Sequence, residues 1–462
     1  MKKLIFPIIL LLFLGGCGSK AQPSVLRVAL PWSDMVQDPD SNYYINWLEE
    51  RTGLELQITL IRQSRSEEYL DALLSSGADV DVVMFGGDFT ISREALEPYI
   101  ASGQIWSENG VSSYDNYGSS VRGGAGQILW INHEWLEALG LPIPSTTEEF
   151  KEVLKAFASN DLNGNGLADE IPLLGCCDNY AEDPAEFLLN AYVNNDSFHS
   201  RFDPADGSSL TAGTSAWRKG VSYCRSLCEE GLFDERSFSV NEEQFCELVN
   251  SPLPLVGAFT TASISDVIYP VNPEVMARYM HVAPLKGEDG AAYALYAEDA
   301  PAVGAVILGR STRKEEAKKL LSLMLTEEAS LIARYGEEGV DWEFSDGRDV
   351  SIYGDASTIV TRSYIRNSPQ NKHLNGIGPM NVPERYLRGV TWNGLNSDAE
   401  YIDGRAQMSY SKYLPEHIEF HEYDPELSAY TDEWLKAFLK GEKDIRSDEE
   451  WEEYLNGLSR WQ

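Results

Sequence analysis

The sequence predicts an α/β fold built on a largely parallel sheet covered by helices. Three observations carry that expectation. Val25 to Leu30 (VLRVAL) and Leu54 to Ile61 (LELQITLI) alternate as strands do, and Val80 to Phe85 (VDVVMF) is a short apolar run of the buried-strand kind. Tyr43 to Arg51 and Glu67 to Ser75 place apolar residues at helical spacing between those strands. The chain of 462 residues, at roughly 100–200 residues per domain, is expected to hold two or three domains.

The first element is a signal. Met1-Lys2-Lys3 is basic, Leu4 to Leu14 is apolar, and Gly15-Gly16 places small residues directly before Cys17. That order is the order of a secretory signal. The apolar run is shorter than the ~20 residues a membrane-spanning helix needs. Leu14-Gly15-Gly16-Cys17 resembles the lipobox of bacterial lipoproteins. The resemblance implies a signal peptide over residues 1–16, acylation of Cys17, and anchoring on the outer face of the bacterial cytoplasmic membrane. Gly18 to Ser24 reads as a flexible tether, so residues 17–24 form the lipidated cysteine and its linker.

The body follows. Thr52-Gly53 closes the first helix. Gln127 to Asn132 (QILWIN) is another strand, and Glu134 to Leu139 starts a helix. Thr146 with Glu148-Glu149 caps a helix running to Phe157. Ala302 to Leu308 is an apolar strand, and Ser311 to Leu325 a capped amphipathic helix. Near the end Asp448-Glu449-Glu450 alternates with Trp451 and Tyr454, which reads as a helix face rather than a charged tail.

Charge narrows the partners. Lys and Arg number 37 against 73 Asp and Glu, a formal net charge of −36. Such a surface repels phosphate backbones, so nucleic acid is excluded as a partner. It also disfavours anionic ligands unless a local basic pocket exists, and no Lys/Arg cluster is visible in the sequence, so a neutral or cationic ligand fits better. Beyond Cys17 there are five cysteines, Cys176, Cys177, Cys224, Cys228 and Cys246, and an odd number cannot all pair internally. Two readings stay open: a disulfide from Cys224 or Cys228 to Cys246, or buried free thiols.

Four segments together resemble the extracellular solute-binding proteins of family 1, the receptors of ABC importers. They are VLRVALPW with its following helix, QILWINHEWLEALGLPIPSTTEEFKEVLKAF, YGEEGVDWEF, and YTDEWLKAFLKGEKDIRSDEEWEEYLNGL. The resemblance implies a two-lobed periplasmic-binding-protein-like fold of type II, with crossing segments between the lobes and a ligand cleft. Lobe one is expected over residues 25–120 and 308–345, and lobe two over 121–307 and 346–462. The implied function is capture of a carbohydrate, by default an oligosaccharide, by a monomeric receptor that delivers it to a permease. A receptor of the same build for a peptide or other solute is the alternative, and a surface glycoside hydrolase a further one. Many family members carry an Asp-Gly-Lys-x-Tyr-x-x-Pro hairpin where this chain has VSSYDNYGSSVRGGAG, so the ligand type stays open.

One loop has metal-ligand spacing. Asp161, Asn163 and Asn165 place side-chain oxygens at positions 1, 3 and 5, with Gly166 at 6, the Leu167 carbonyl at 7 and Asp169 at 9. This is the first part of an EF-hand-type loop and suits a structural Ca2+. Pro172 stands at position 12, where the bidentate Glu is usual, so Glu170 is the substitute. His417, Glu419 and His421 lie between prolines and read as a surface strand rather than a transition-metal site.

No Gly-x-Ser-x-Gly elbow, phosphate loop or dinucleotide fingerprint is present, and the chain is read as a non-enzyme. The aromatics are the remaining chemistry, with 11 Trp and 23 Tyr. A flat ring offers apolar surface to a sugar while polar groups read its hydroxyls. Trp32, Tyr117, Trp130, Tyr296, Trp342 and Trp392 lie near strand ends and loops, with Asp34, Asp88 and Asn393 as polar readers. Asp88 follows a parallel strand, at the edge where open α/β sheets bind ligands.

Overall fold

The computed structural model describes residues 24–33, 36, 38–62, 65–87, 89–117, 124–195, 210–269, 272–297, 302–362, 371–374, 376–392, 397–413 and 424–461. Along the chain the strands are β1 (Ser24–Pro31), β2 (Leu54–Ile61), β3 (Val82–Met84), β4 (Tyr114–Asn116), β5 (Gly124–Ala125), β6 (Ile128–Asn132) and β7 (Ile171–Leu173). They continue as β8 (Val256–Thr261), β9 (Tyr279–Val282), β10 (Tyr296–Ala297), β11 (Ala302–Ile307), β12 (Trp342–Phe344), β13 (Ile359–Thr361) and β14 (Val390–Thr391).

The first lobe is a five-stranded sheet of order β2-β1-β3-β11-β4. β1 pairs parallel with β2 and β3, as the βαβαβ pattern predicts, and β11 runs antiparallel to β3 and β4, which makes the sheet mixed. Its period-2 alternation sorts the apolar side chains onto two faces. Leu26, Val28, Leu30, Val82, Met84 and Ile307 join one apolar cluster with the helix Tyr43–Thr52 and the helices Lys314–Met324 and Glu327–Tyr335. Ala29, Val83, Phe85 and Val306 join the other, with Leu70, Leu73 and Leu96. β2 lies at the sheet edge, and its alternation of buried and exposed residues follows from having one covered face.

The second lobe is a four-stranded sheet of order β7-β8-β6-β9 within one apolar cluster. The C-terminal helices Pro425–Lys440 and Asp448–Leu458 pack here, with Trp451 and Tyr454 buried as the acidic-aromatic alternation predicts. Between the lobes, β5 and β10 form a two-stranded antiparallel pair.

Four expectations are corrected. Residues of the 346–392 stretch, among them Ile352, Ile359, Leu374, Ile377, Val390 and Trp392, pack in the first lobe and not the second. The return to the first sheet begins at Ala302 rather than residue 308. The helix expected from Ser311 starts at Lys314 instead, because the Ser311 hydroxyl is buried and donates to Asp81 Oδ1 at 2.6 Å. The five cysteines of the body are free thiols, four of them buried and Cys228 half-buried, so the disulfide reading falls. Burial pushes the Cys228 thiol up to about 12 and Cys246 up to about 11, which leaves both protonated and unreactive.

Candidate functional site

Topology decides which edges face each other. The carboxyl ends of β1, β2, β3 and β4 lie on one edge of the first sheet, because β11 is antiparallel to both β3 and β4. The chain leaves that edge after Tyr117, forms β5, and returns through β10 into β11. In the second sheet β6 begins just past β5 and runs antiparallel to β8 and β9. The carboxyl ends of β7, β8 and β9 therefore face the crossing strands, and a cleft between the two edges is the candidate site.

On the first edge, Trp32 continues β1 by donating its N–H to the Ile61 carbonyl at 2.7 Å. The residue is 42% exposed, with the Arg62 guanidinium 5.1 Å from the ring centre. Beyond β3 the chain turns at Gly86, whose N–H donates to the Phe89 carbonyl at 2.9 Å. A Cβ at Gly86 would lie 1.9 Å from the Gly376 carbonyl oxygen, so only glycine lets the two loops meet. Beyond β4, the Tyr117 N–H donates to the Met380 carbonyl at 2.7 Å, and its hydroxyl donates to Asp115 Oδ2 at 3.1 Å. Arg93 also pairs with Asp115.

On the second edge, a polar chain runs across the ends of the strands. The Thr261 hydroxyl at the end of β8 lies 3.1 Å from Glu182 Oε1 and 3.2 Å from the Ser263 carbonyl. The Ser263 hydroxyl donates to Asp403 Oδ2 at 2.6 Å, and the Ile264 N–H donates to Asp403 Oδ1 at 2.8 Å. Gln127 Nε2, just before β6, donates to the Asp183 carbonyl at 2.7 Å. Burial pushes the Glu182 carboxyl up to about 7, with Glu242 and Asp266 adding to the shift. Burial does the same to Asp403, again to about 7.

Asp403 belongs to the helix Ser397–Tyr410, which touches both lobes. On the first-lobe side Arg405 Nη2 donates to the Ser351 carbonyl at 3.3 Å, and the backbone at Gly404 lies against Ile352. On the second-lobe side the buried Tyr410 hydroxyl accepts the Leu129 N–H at 3.1 Å. Gln407 clamps β5 by donating to the Ala125 carbonyl at 3.0 Å and accepting its N–H at 2.8 Å.

The expected ligand residues divide. Trp32 and Tyr117 reach the facing edge of the first lobe. Trp130, Trp342 and Trp392 are core residues, 0%, 2% and 5% exposed. Trp130 sits inside β6 with a strand on either side. The Trp342 indole N–H donates to the Gly336 carbonyl at 2.9 Å, and Trp392 packs beside Tyr335. The backbone of Tyr296 pairs with Ala125 in the crossing ladder. Asp34, Asp88, Asn393 and Cys17 lie outside the described residues, as do His417, Glu419 and His421. Sequence reasoning missed Arg62, Glu182, Ser263, Asp403 and Gln407. Only Arg62 had a usable signal, because it follows β2 as Trp32 follows β1.

The Asn/Gly-rich loop after the helix Thr147–Ala158 closes on itself. Asp161 accepts the N–H groups of Gly164, Asn165 and Gly166 at 2.8, 3.1 and 2.9 Å. The Asn163 and Asn165 amides donate to Asp169 at 2.7 and 2.9 Å. Those two bonds hold the Asp169 carboxyl below its usual range. Glu170 Oε1 accepts from the Leu162 and Asn163 N–H groups at 2.6 and 3.1 Å. Gly166 has φ +81°, the left-handed turn that position requires. The hard-oxygen donors Asp161, Asn163, Asn165 and Asp169 thus share one loop interior, a set that suits a hard cation. Glu170 instead braces the loop backbone. Among the described residues no group of three His, Cys, Asp or Glu stands ready to hold a metal, so the amide oxygens would have to contribute. No helix among the described residues is long and apolar enough to cross a membrane.

No family profile matches the chain. It is 28% identical over 234 residues to the fructooligosaccharide ABC transporter substrate-binding protein FusA of Streptococcus pneumoniae, covering 44% of this chain and 43% of that protein. It is 27% identical over 170 residues to lipoprotein LipO of Bacillus subtilis, covering 33% of each. The chain thus matches less than half the length of these curated relatives. Among solved structures, the S. pneumoniae FusA complex with kestose superposes with a TM-score of 0.70 at 20% identity, covering 95% of this chain and 96% of that one. A FusA structure described as an EF-hand mutant, in complex with fructo-nystose, gives 0.70 at 19% identity with the same coverage. These likenesses bear out the two-lobed α/β fold and the resemblance stated from the four sequence segments.

Proposed function

We propose that this chain, which has the two-lobed fold of the extracellular solute-binding proteins of ABC importers, captures an oligosaccharide between its lobes and delivers it to a permease. The observation that carries the reading is the pair of facing sheet edges joined through β5, β10 and the helix Ser397–Tyr410. One edge presents an exposed aromatic residue, Trp32, and the other the half-buried hydroxyl and carboxyl of Ser263 and Asp403, backed by the buried Thr261 and Glu182. Rings cover the C–H faces of a sugar, and such polar groups read its hydroxyls. The relatives named for fructooligosaccharide and kestose support a saccharide over a peptide.

The mechanism is capture without bond breaking. The lobes rotate about the β5–β10 ladder, and a ligand that contacts both edges shifts the population toward the closed form. The closed form is the one the permease accepts. Acylated Cys17 holds the protein on the outer face of the cytoplasmic membrane, near that permease, and raises its effective concentration there. Asp161, Asn163, Asn165 and Asp169, with the Leu167 carbonyl, would hold a structural Ca2+. The ion would neutralise the carboxylates and stiffen the loop between the helix Thr147–Ala158 and β7.

A thermal-shift screen of neutral and acidic oligosaccharides against peptides tests this reading. A specific saccharide raises the melting temperature by mass action and is recovered chemically unchanged after long incubation. A rise with peptides alone, or hydrolysis of the bound sugar, overturns it.

A further inference from the structure

The Trp32 and Arg62 pair carries information about the ligand that the net charge conceals. Pro31 and Ile61 are register partners in the parallel β1–β2 ladder, so Trp32 and Arg62 are the next residues past the carboxyl ends of two adjacent strands. The guanidinium carbon lies over the indole, 5.1 Å from the ring centre, and both residues are exposed. β2 is the edge strand farthest from β4, where the chain crosses to the second lobe. The pair therefore stands at the mouth of the cleft and not at its hinge.

The charge environment of Arg62 differs from that of several neighbours. In this acid-rich chain Arg27, Arg51, Arg65 and Arg93 each meet a carboxylate, and Arg310 is taken up by backbone carbonyls of Leu73, Leu74 and Ala78. Arg27 lies 3.3 Å from Asp79, Arg51 2.6 Å from Glu328 and Arg65 2.6 Å from Glu68, and Arg93 pairs with Asp115. Among the described residues Arg62 meets only the face of Trp32. A guanidinium resting over an indole face loses less freedom on binding than a free one, and its planar fork matches a carboxylate.

We propose that Trp32 and Arg62 form a subsite at the cleft mouth for a sugar ring that bears a carboxylate, so that the oligosaccharide this receptor captures includes a uronic acid residue. The inference rests on the reading of the chain as an oligosaccharide receptor. Trp32 covers the C–H face of the ring, and Arg62 takes the carboxylate. The surrounding acidity then works as discrimination. The acidic surface repels anions in general, and this cation receives the one carboxylate that the ring stacked on Trp32 brings to it.

The test is calorimetric titration of the full chain with tri-galacturonate, with its neutral methyl ester, and with kestose, using wild type, Arg62→Gln and Arg62→Lys. The wild type is expected to prefer the acid over its ester by about tenfold or more, as a charge-assisted bond warrants. The preference shrinks with added salt, vanishes in Arg62→Gln and is partly kept in Arg62→Lys. Equal binding of acid and ester, or a preference that survives Arg62→Gln, overturns the subsite. Tight kestose binding indifferent to Arg62 also overturns it while leaving the receptor reading intact. Binding of none of the three by a folded wild type, with the thermal-shift screen also negative for saccharides, overturns both.

Discussion

Gln407 and Ala125 exchange two hydrogen bonds, with the side-chain amide of the bridging helix mimicking a strand partner for β5. The two residues are 282 positions apart. The crossing strand is thus held by β10 on one side and by a side chain on the other. Gln407→Ala leaves a part-buried N–H and C=O without partners, and is expected to destabilise the protein by about 1–3 kcal/mol. Amide exchange at Ala125 should accelerate with it. Unchanged exchange there would show that the clamp contributes nothing to the hinge.

Glu182 predicts a pH dependence of stability. Burial pushes its carboxyl up to about 7 in the folded state, against about 4–5 in the unfolded chain. Between those values the folded state holds more protons than the unfolded state, so stability falls as pH rises through the window and levels off above it. Glu182→Gln cannot ionise, yet its side-chain oxygen can still accept the Thr261 bond. Its melting temperature should decline less steeply from pH about 4.5 to about 7.5. Asp403 acts in the same direction and keeps the slope from vanishing. Identical slopes in variant and wild type would count against a buried, proton-holding Glu182.

Trp32 and Trp130 should behave oppositely. Trp32→Ala removes an exposed ring and is expected to change stability by less than about 1 kcal/mol, while weakening ligand binding about tenfold or more. Trp130→Ala opens a cavity in the second lobe and should cost about 3–5 kcal/mol. Denaturant melts and titrations on both variants read the contrast. Intact binding by a folded Trp32→Ala protein would remove the ring from the ligand site.

Calcium removal is the next check. If the Asp161 loop holds the ion, chelation lowers the melting temperature of the wild type, since a ligand at about 100 times its Kd stabilises by about 2.7 kcal/mol. Asp161→Ala should abolish the response to both chelator and added Ca2+. No ion in elemental analysis, together with no chelator effect, would end the proposal.

Cys17→Ser should move the protein from the membrane fraction to the soluble fraction in cells, and a labelled fatty acid should mark only the wild type. Retention of the variant on the membrane would point to an anchor other than the acyl chains.

Much of the fold was legible because its signals are local. Period-2 runs marked β1 and β2, and Gly53 with φ +68° closes the helix where Thr52-Gly53 indicated. The Asp161 loop could also be read, since its convergent groups lie within ten residues of chain. The cleft was legible only in part. Trp32 and Trp130 are both tryptophans at the strands the alternation marks, yet one lies past a carboxyl end and the other inside a strand paired on both sides.

The sequence by itself determined the α/β class, the parallel βαβαβ start, the export signal as an expectation, and the oxygen-rich loop. These follow from spacing along the chain, where neighbours in sequence are neighbours in space. Tertiary structure alone decided that Ile352, Ile359, Leu374, Ile377, Val390 and Trp392 pack on the first lobe, that the helix Ser397–Tyr410 bridges both, and that Arg62 meets the Trp32 ring past the carboxyl ends of β1 and β2. Those facts depend on contacts between segments up to hundreds of residues apart, made when apolar faces are buried together, and no local pattern encodes which face meets which.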